Sequence, residues 1–142
     1  RGVWKTNKTN NMNELALTIP QMDALKRTGI DTTDASMRWG HVATTIDKTI
    51  FTIIPTIAVS DEVMPHTSPA YTLGDILNKL PTIIPEPNPM PLTLKHGLSG
   101  KWCAYYGQAS PCCVGESPLE AAFAMLCFVA QYYPTTIKQI NK

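Results

Sequence analysis

The chain has 142 residues, with 44% hydrophobic and 16% charged residues and a formal net charge of +1. That length suits one domain, and the apolar content supports a packed core and excludes disorder by composition. The near-neutral balance excludes a global field that would draw nucleic acid or anionic lipid. Charge is sparse beside the roughly 25% of an ordinary soluble domain, which leaves surface for a protein contact.

Residues 1–17 read as a polar, basic arm carrying Arg1, Lys5 and Lys8. Met12 would serve as a start codon, which would make residues 1–11 an upstream extension. Residues Arg1 to Thr18 contain no apolar h-region, so no signal peptide is expected. No segment reaches the roughly 18 consecutive apolar residues of a membrane helix.

Three helix starts share one grammar. Thr18-Ile-Pro-Gln21, Thr72-Leu-Gly-Asp75 and Ser117-Pro-Leu-Glu120 each place a hydroxyl cap three residues before an acid or amide. The hydroxyl accepts from an orphan backbone N–H, and the acid or amide reaches back to the cap. Pro in the first turn suits two of the three. The first helix should end near Thr28, since Gly29 fits a left-handed stop. The second should end at Leu80 before Pro81, and the third at Tyr133 before Pro134.

Between the first two helices, Ser36–Ile46 and the β-branched run Thr49–Ile54 predict a hairpin turning at Asp47-Lys48. Eight of the twelve prolines fall between Pro55 and Pro91, which predicts stiff, extended connection rather than sheet interior. Leu92–His96 and Lys101–Tyr106 predict a second hairpin around Gly97-Leu-Ser-Gly100. The order helix, hairpin, helix, hairpin, helix gives an α+β domain over residues 18–133. It has a small antiparallel sheet of about four strands and three helices gathered on one side, followed by a tail at 134–142.

Tyr71-Thr-Leu-Gly-Asp-Ile-Leu-Asn-Lys-Leu-Pro81, Trp102-Cys-Ala-Tyr-Tyr106 and Pro118-Leu-Glu-Ala-Ala-Phe-Ala-Met-Leu-Cys-Phe128 together form a recognisable pattern. It resembles small uncharacterised proteins found in gut Bacteroidetes genomes and their phages or mobile elements. Leu25-Lys-Arg-Thr-Gly29 matches the helix-closing turn of those proteins. The matching motifs are caps and core positions. The resemblance therefore implies fold and origin, and it brings no activity, ligand or catalytic residue. The basic arm and the Pro111-Cys-Cys-Val-Gly115 loop depart from the pattern.

From Ala121 to Ala130 the last helix carries no polar side chain except the thiol of Cys127. Leu119, Phe123, Leu126 and Val129 lie along one stripe, and Met125, Phe128 and Tyr132 along another. A lone domain usually needs one stripe. Phe123, Met125, Leu126, Phe128, Val129 and Tyr132 are therefore expected to divide between core and contact surface. The leading expectation is a non-enzymatic interaction module, without a cofactor. It would present this helix or a sheet edge to a second copy of itself or to a protein partner.

Other chemistry has weaker signals. Cys112-Cys113 precede the Ser117 cap, and a thiolate near a helix N-terminus is a candidate nucleophile; the plainer reading is two small residues packed under the helix. Their adjacency disfavours a mutual disulfide. The four cysteines, Cys103, Cys112, Cys113 and Cys127, show no disulfide framework and read as reduced thiols of a cytoplasmic protein. His96, Cys103, Cys112 and Cys113 lack the knuckle spacing of a structural zinc site, so no metal is expected. His41 and His66 are isolated, and Asp61, Glu62 and Glu86 lie in loops, while Glu116 and Glu120 flank a helix start. Trp102, Tyr105 and Tyr106 beside Lys95 and Lys101 faintly suggest a nucleic-acid-binding strand, and core aromatics explain them more simply.

Overall fold

Local capping decides where the helices begin. The computed structural model describes residues 15–44, 46, 49–84, 90–97, 99–107 and 110–137. The basic arm up to residue 14, the expected turn at Asp47-Lys48 and the proline run 85–89, with Glu86, lie outside the described residues. Helix α1 (Ile19–Arg27) starts with a complete capping box between Thr18 and Gln21 and stops before Gly29, whose φ of 94° is the expected left-handed exit. Helix α2 (Leu73–Lys79) has a complete box between Thr72 and Asp75, and its cap at Leu80 precedes Pro81. Helix α3 (Pro118–Tyr132) differs slightly. Ser117 Oγ accepts the Glu120 N–H at 3.2 Å, but the Glu120 carboxylate reaches one residue further back, to the Glu116 N–H at 2.9 Å.

The fold is α+β, with the three helices α1–α3 and small antiparallel sheets among the described residues. Both expected hairpins form. Strands β1 (Met37–Thr44) and β2 (Thr49–Pro55) pair antiparallel, as do β6 (Thr93–His96) and β7 (Trp102–Tyr105). The described strands number eight in three sheets rather than about four in one. Strand β3 (Ser68–Ala70) joins the free side of β1, a pair β4 (Ile83–Ile84) and β5 (Met90–Pro91) forms across the proline-rich segment, and β8 (Cys113–Gly115) joins β7. The sheet orders are β2-β1-β3, β4-β5 and β6-β7-β8. Proline density does not prevent these extra ladders, because each is two or three residues long. Pro69 lies opposite Arg38 on an edge strand, where a missing N–H costs no ladder bond.

Helix α3 lies between the β6-β7-β8 sheet and α2, which explains its two apolar stripes. Leu119, Ala121, Ala122, Met125, Leu126, Val129 and Ala130 are buried in the main core with Leu25, Tyr71, Ile76, Leu80 and Tyr106. Gly115 makes close approach possible: a Cβ there would sit 2.6 Å from the Ala121 nitrogen, so β8 can run directly against the first turn of α3. A smaller cluster of Ala16, Trp39 and Ala70 lies under the β2-β1-β3 sheet. Ala16 and Leu17, assigned to the arm on sequence, are fully buried. The Leu17 N–H donates to the Tyr71 carbonyl at 2.8 Å, and its own carbonyl accepts from Trp39 Nε1 at 2.8 Å. At the other end Ile137 belongs to the main core, so the tail is anchored at least to that residue.

Among the described residues no helix is long and apolar enough to cross a membrane.

Candidate interaction surface

Strand β2 combines exposure, apolar character and lack of charge. No charged residue occurs from Thr49 to Ser60. The β-branched run forms a strand because Trp39, Met37 and Ile53 share a face that packs on the smaller core. Among the described residues the strand is an edge, with β1 on one side only. The Thr56 N–H donates to the Ser36 carbonyl at 2.9 Å, which fixes the alternation. Main-chain groups of Ile54 and Thr52 therefore face β1, and those of Phe51 and Ile53 face outward. Pro55 also falls on the outward set, where it presents a carbonyl and no N–H.

Natural edges are usually blunted by charge, by bulges or by a covering element. Here the irregularity between His41 and Ala43 lies on β1, not on β2. Phe51 is 42% exposed, its ring 6.2 Å from that of His41 in an edge-on arrangement, and Ile57 just beyond the strand is 95% exposed. Two N–H donors and three carbonyl acceptors thus line an uncharged rim beside exposed hydrophobic side chains.

The C-terminal helix offers less surface than its composition suggests. Met125 is fully buried, as are Leu126 and Val129, so these are core residues and not contact residues. Phe123 and Phe128 are half-buried against the main core, and only Tyr132 is well exposed, with its ring 4.9 Å from that of Phe128. The second stripe is thus spent largely inside the chain.

All four cysteines are free: Cys103 in β7, Cys112 just before β8, Cys113 in β8 and Cys127 in α3. Cys112, Cys113 and Cys127 are all shifted away from the depressed pKa of an activated nucleophile. The hydrogen bond to Cys103, followed by burial, holds the Cys112 thiol above its ordinary value. Burial raises Cys113 and Cys127. The helix N-terminus is already occupied by Ser117 Oγ; Cys113 opens the strand leading to it, and Cys112 lies just before that strand. Among the described residues no group of three or more His, Cys, Asp or Glu is placed to hold a metal ion.

The aromatic and basic residues of β6 and β7 each have a structural partner. Tyr106 is fully buried and donates its hydroxyl to the Pro81 carbonyl at 2.7 Å. Trp102 stacks on His96 with centroids 4.6 Å apart. Lys101 pairs with Glu116 at 2.7 Å, and that hydrogen bond holds its ammonium above the ordinary value. Lys95 lies 5.7 Å from the centre of the Tyr105 ring. An open cleft of about 350 Å³ lies between Leu73, Trp102 and the first turn of α3. Its polar groups, Glu116 and Ser117, are engaged by Lys101 and by the helix cap. Asp61, Glu62 and His66 are exposed and sit in and beside a short turn of 3-10 helix.

One polar constellation was not anticipated. Lys79 is 2% exposed and its ammonium lies 2.7 Å from Asp34 Oδ2. Tyr71 donates its hydroxyl to Asp34 Oδ1 at 2.7 Å, with the Asp31 carbonyl 3.0 Å away. Burial, and then the Asp34 hydrogen bond, push the Tyr71 hydroxyl far above its ordinary range. Nearby, Asp75 Oδ2 accepts from the Thr72 N–H and from both the N–H and hydroxyl of Ser36. One carboxylate therefore caps α2 and fixes the entry to β1. Both groups tie loop 30–36 to α2, so their role is structural.

No family model, curated protein or solved structure matches the chain.

Proposed function

We propose that the chain is a non-enzymatic interaction module that works by sheet extension. The outer edge of β2 receives an antiparallel strand, and the partner is a second copy of the same chain. The carrying observation is the uncharged β2 rim with the main-chain groups of Phe51 and Ile53 turned outward. A two-fold axis beside Thr52 sets Phe51 opposite Ile53 of the second copy, and the reverse. Each such pair exchanges two N–H···O bonds, so four new bonds join two three-stranded sheets into one of six strands. A charge near the axis of such a pairing would lie close to its own copy, and this strand has none. The sheet edge is preferred to the helix face because α3 has already buried most of its apolar surface. The proposal includes a cytoplasmic setting and the gut-bacterial or phage origin implied by the sequence resemblance.

Sedimentation velocity over a series of concentrations tests it. Phe51→Pro removes an outward N–H without removing a bond to β1, whereas Phe51→Thr removes the ring and keeps the N–H. The wild type should self-associate with rising concentration, Phe51→Thr should retain part of that association, and Phe51→Pro should sediment as a monomer. A wild type that stays monomeric throughout, or a Phe51→Pro variant that associates like Phe51→Thr, overturns the proposal.

A further inference from the structure

The β6-β7-β8 sheet has an inner face, where Leu94, Ala104 and Cys113 align across the strands against the main core. Two residues along each strand, the same face ends in His96, Trp102 and Gly115. The His96 and Trp102 rings stack within 4° of parallel, with centroids 4.6 Å apart. A carbonyl can only accept, so His96 Nε2–H donates to the Gly100 oxygen at 3.0 Å and holds the imidazole in place. Trp102 borders the open cleft of about 350 Å³ and His96 does not, so the cleft meets the indole away from the imidazole. The other apolar walls are Leu73, at the start of α2, and Pro118 and Leu119, at the start of α3. Glu116 adds a carboxylate that is 70% exposed. Each wall is thus held by a capped helix start or by a strand ladder, and the indole is backed by a second ring.

We propose that this cleft receives an arginine side chain carried on a peptide segment of a protein partner. The cleft is separate from the β2 edge, which belongs to another sheet. Volume sets the scale: about 350 Å³ is near the lower end of ligand sites, which suits one long side chain rather than a cofactor. Charge sets the sign. Two carboxylates, Glu116 and Glu120, act on one ammonium, that of Lys101, so the side chains at the rim leave an excess of negative charge. The positive end of α3 opposes this with about half a charge. Ser117 Oγ and the Glu120 carboxylate already accept from N–H groups at that end. The balance favours a cation.

The walls select guanidinium over ammonium. A planar, weakly hydrated guanidinium stacks on an indole while its edge N–H groups stay free to donate, and a lysine ammonium has no such plane. The aliphatic stem packs on Leu73, Pro118 and Leu119. Lys101 Nζ holds Glu116 Oε2 at 2.7 Å, which leaves Oε1 to accept from the guanidinium. The Lys101–Glu116 pair is 51% and 70% exposed, so it is weak and yields to a ligand that adds stacking. Lys101 is therefore a competitor for the site, not a part of it.

The test titrates the full chain with the peptide acetyl-Gly-Arg-Gly-amide and follows the Trp102 indole N–H by NMR, its resonance identified by its loss in Trp102→Phe. The same peptide with citrulline in place of arginine keeps the shape and removes the charge. The arginine peptide should shift the resonance to saturation, and the citrulline peptide should bind at least about twofold more weakly. Glu116→Gln should weaken arginine binding about two- to fivefold. Lys101→Met removes the competing cation and frees the second carboxylate oxygen, so it should tighten binding by about as much. Both positions are well exposed, so neither variant threatens the fold. A merely structural pair would not move binding in opposite directions when its two members are changed. The proposal is overturned if no saturable shift appears, if the citrulline peptide or acetyl-Gly-Glu-Gly-amide binds as tightly, or if Lys101→Met weakens binding. It is overturned equally if, without peptide, the Trp102 resonance but not that of Trp39 moves with protein concentration, as a second copy in the cleft would require.

Discussion

Asp34→Asn places the buried Lys79 ammonium beside a neutral amide of nearly the same shape. The substitution retains an oxygen that can accept the Tyr71 hydroxyl, so the lost charge is the main change. Removing one partner of a buried ion pair costs about 3–5 kcal/mol. Asp34 is 32% exposed whereas Lys79 is 2% exposed. Water therefore reaches the carboxylate side of the pair, which reduces the expected loss to about 2–3 kcal/mol. For a chain of this length that corresponds to a fall in Tm of roughly 6–12 °C. Urea denaturation followed by circular dichroism measures it as a lower midpoint with unchanged slope. Lys79→Met, which leaves the half-exposed carboxylate to water, should cost less than about 1 kcal/mol. Combining the two should recover most of the stability lost in Asp34→Asn. The reasoning is refuted if Asp34→Asn lies within about 0.5 kcal/mol of wild type, or if the double variant is as unstable as the single one.

Alkaline pH should destabilise the fold. Burial, helped at Tyr71 by Asp34, raises the folded pKa of Tyr71 and of Tyr106 well above the ordinary value of 10.0. A raised folded pKa gives stability that is complete below the unfolded value and lost as pH climbs above it. Stability should thus hold to about pH 10 and then fall by about 1.4 kcal/mol per pH unit for each tyrosine. Tyr106→Phe should halve the slope, and a urea midpoint that stays flat from about pH 10 to 11 would contradict the burial argument. On α3, Met125→Ala should cost about 2–5 kcal/mol as a core cavity, and Tyr132→Ser less than about 0.5 kcal/mol, both read from urea midpoints. Equal losses at the two positions would mean that Tyr132 is covered in solution.

The helices and both hairpins were legible because their signals are local. A cap hydroxyl, its partner three residues on, and the proline or glycine past the end all act within one or two turns, so Thr18, Thr72 and Gly29 announce themselves. The extra strands were not legible for the opposite reason. Residues Ser68–Ala70 and Cys113–Gly115 become strands because β1 and β7 each have a second side to satisfy, and nothing in three residues records that. The Lys79–Asp34–Tyr71 constellation joins positions far apart in sequence. A lysine at the end of an amphipathic helix looks like a solvated charge favourable to the helix dipole, until the loop from Asp31 folds over it. The two-sided environment of α3 was expected from its composition. Which neighbours fill the two sides depends on the tertiary arrangement.

The division between α3 and β2 shows why apolar content alone misleads about contact surfaces. The stretch Ala121–Ala130 is the more hydrophobic of the two, yet Met125 and Val129 are fully buried. A helix can be enclosed by its own chain, so an excess of apolar residues on it first measures how many neighbours it has. The outer rim of an edge strand has no such recourse: its outward N–H and C=O groups are met only by water, a covering element or another strand. Lysine or glutamate on that rim would make a second strand unfavourable, and the twelve residues from Thr49 to Ser60 contain neither. Phe51 at 42% exposure and Ile57 at 95% are therefore more informative about binding than any residue of the last helix. If Phe51→Lys, which places a charge diagonal to its own copy across the two-fold, left self-association unchanged in sedimentation, pairing at this edge would be excluded. The expected outcome is a monomer with an unchanged circular dichroism spectrum.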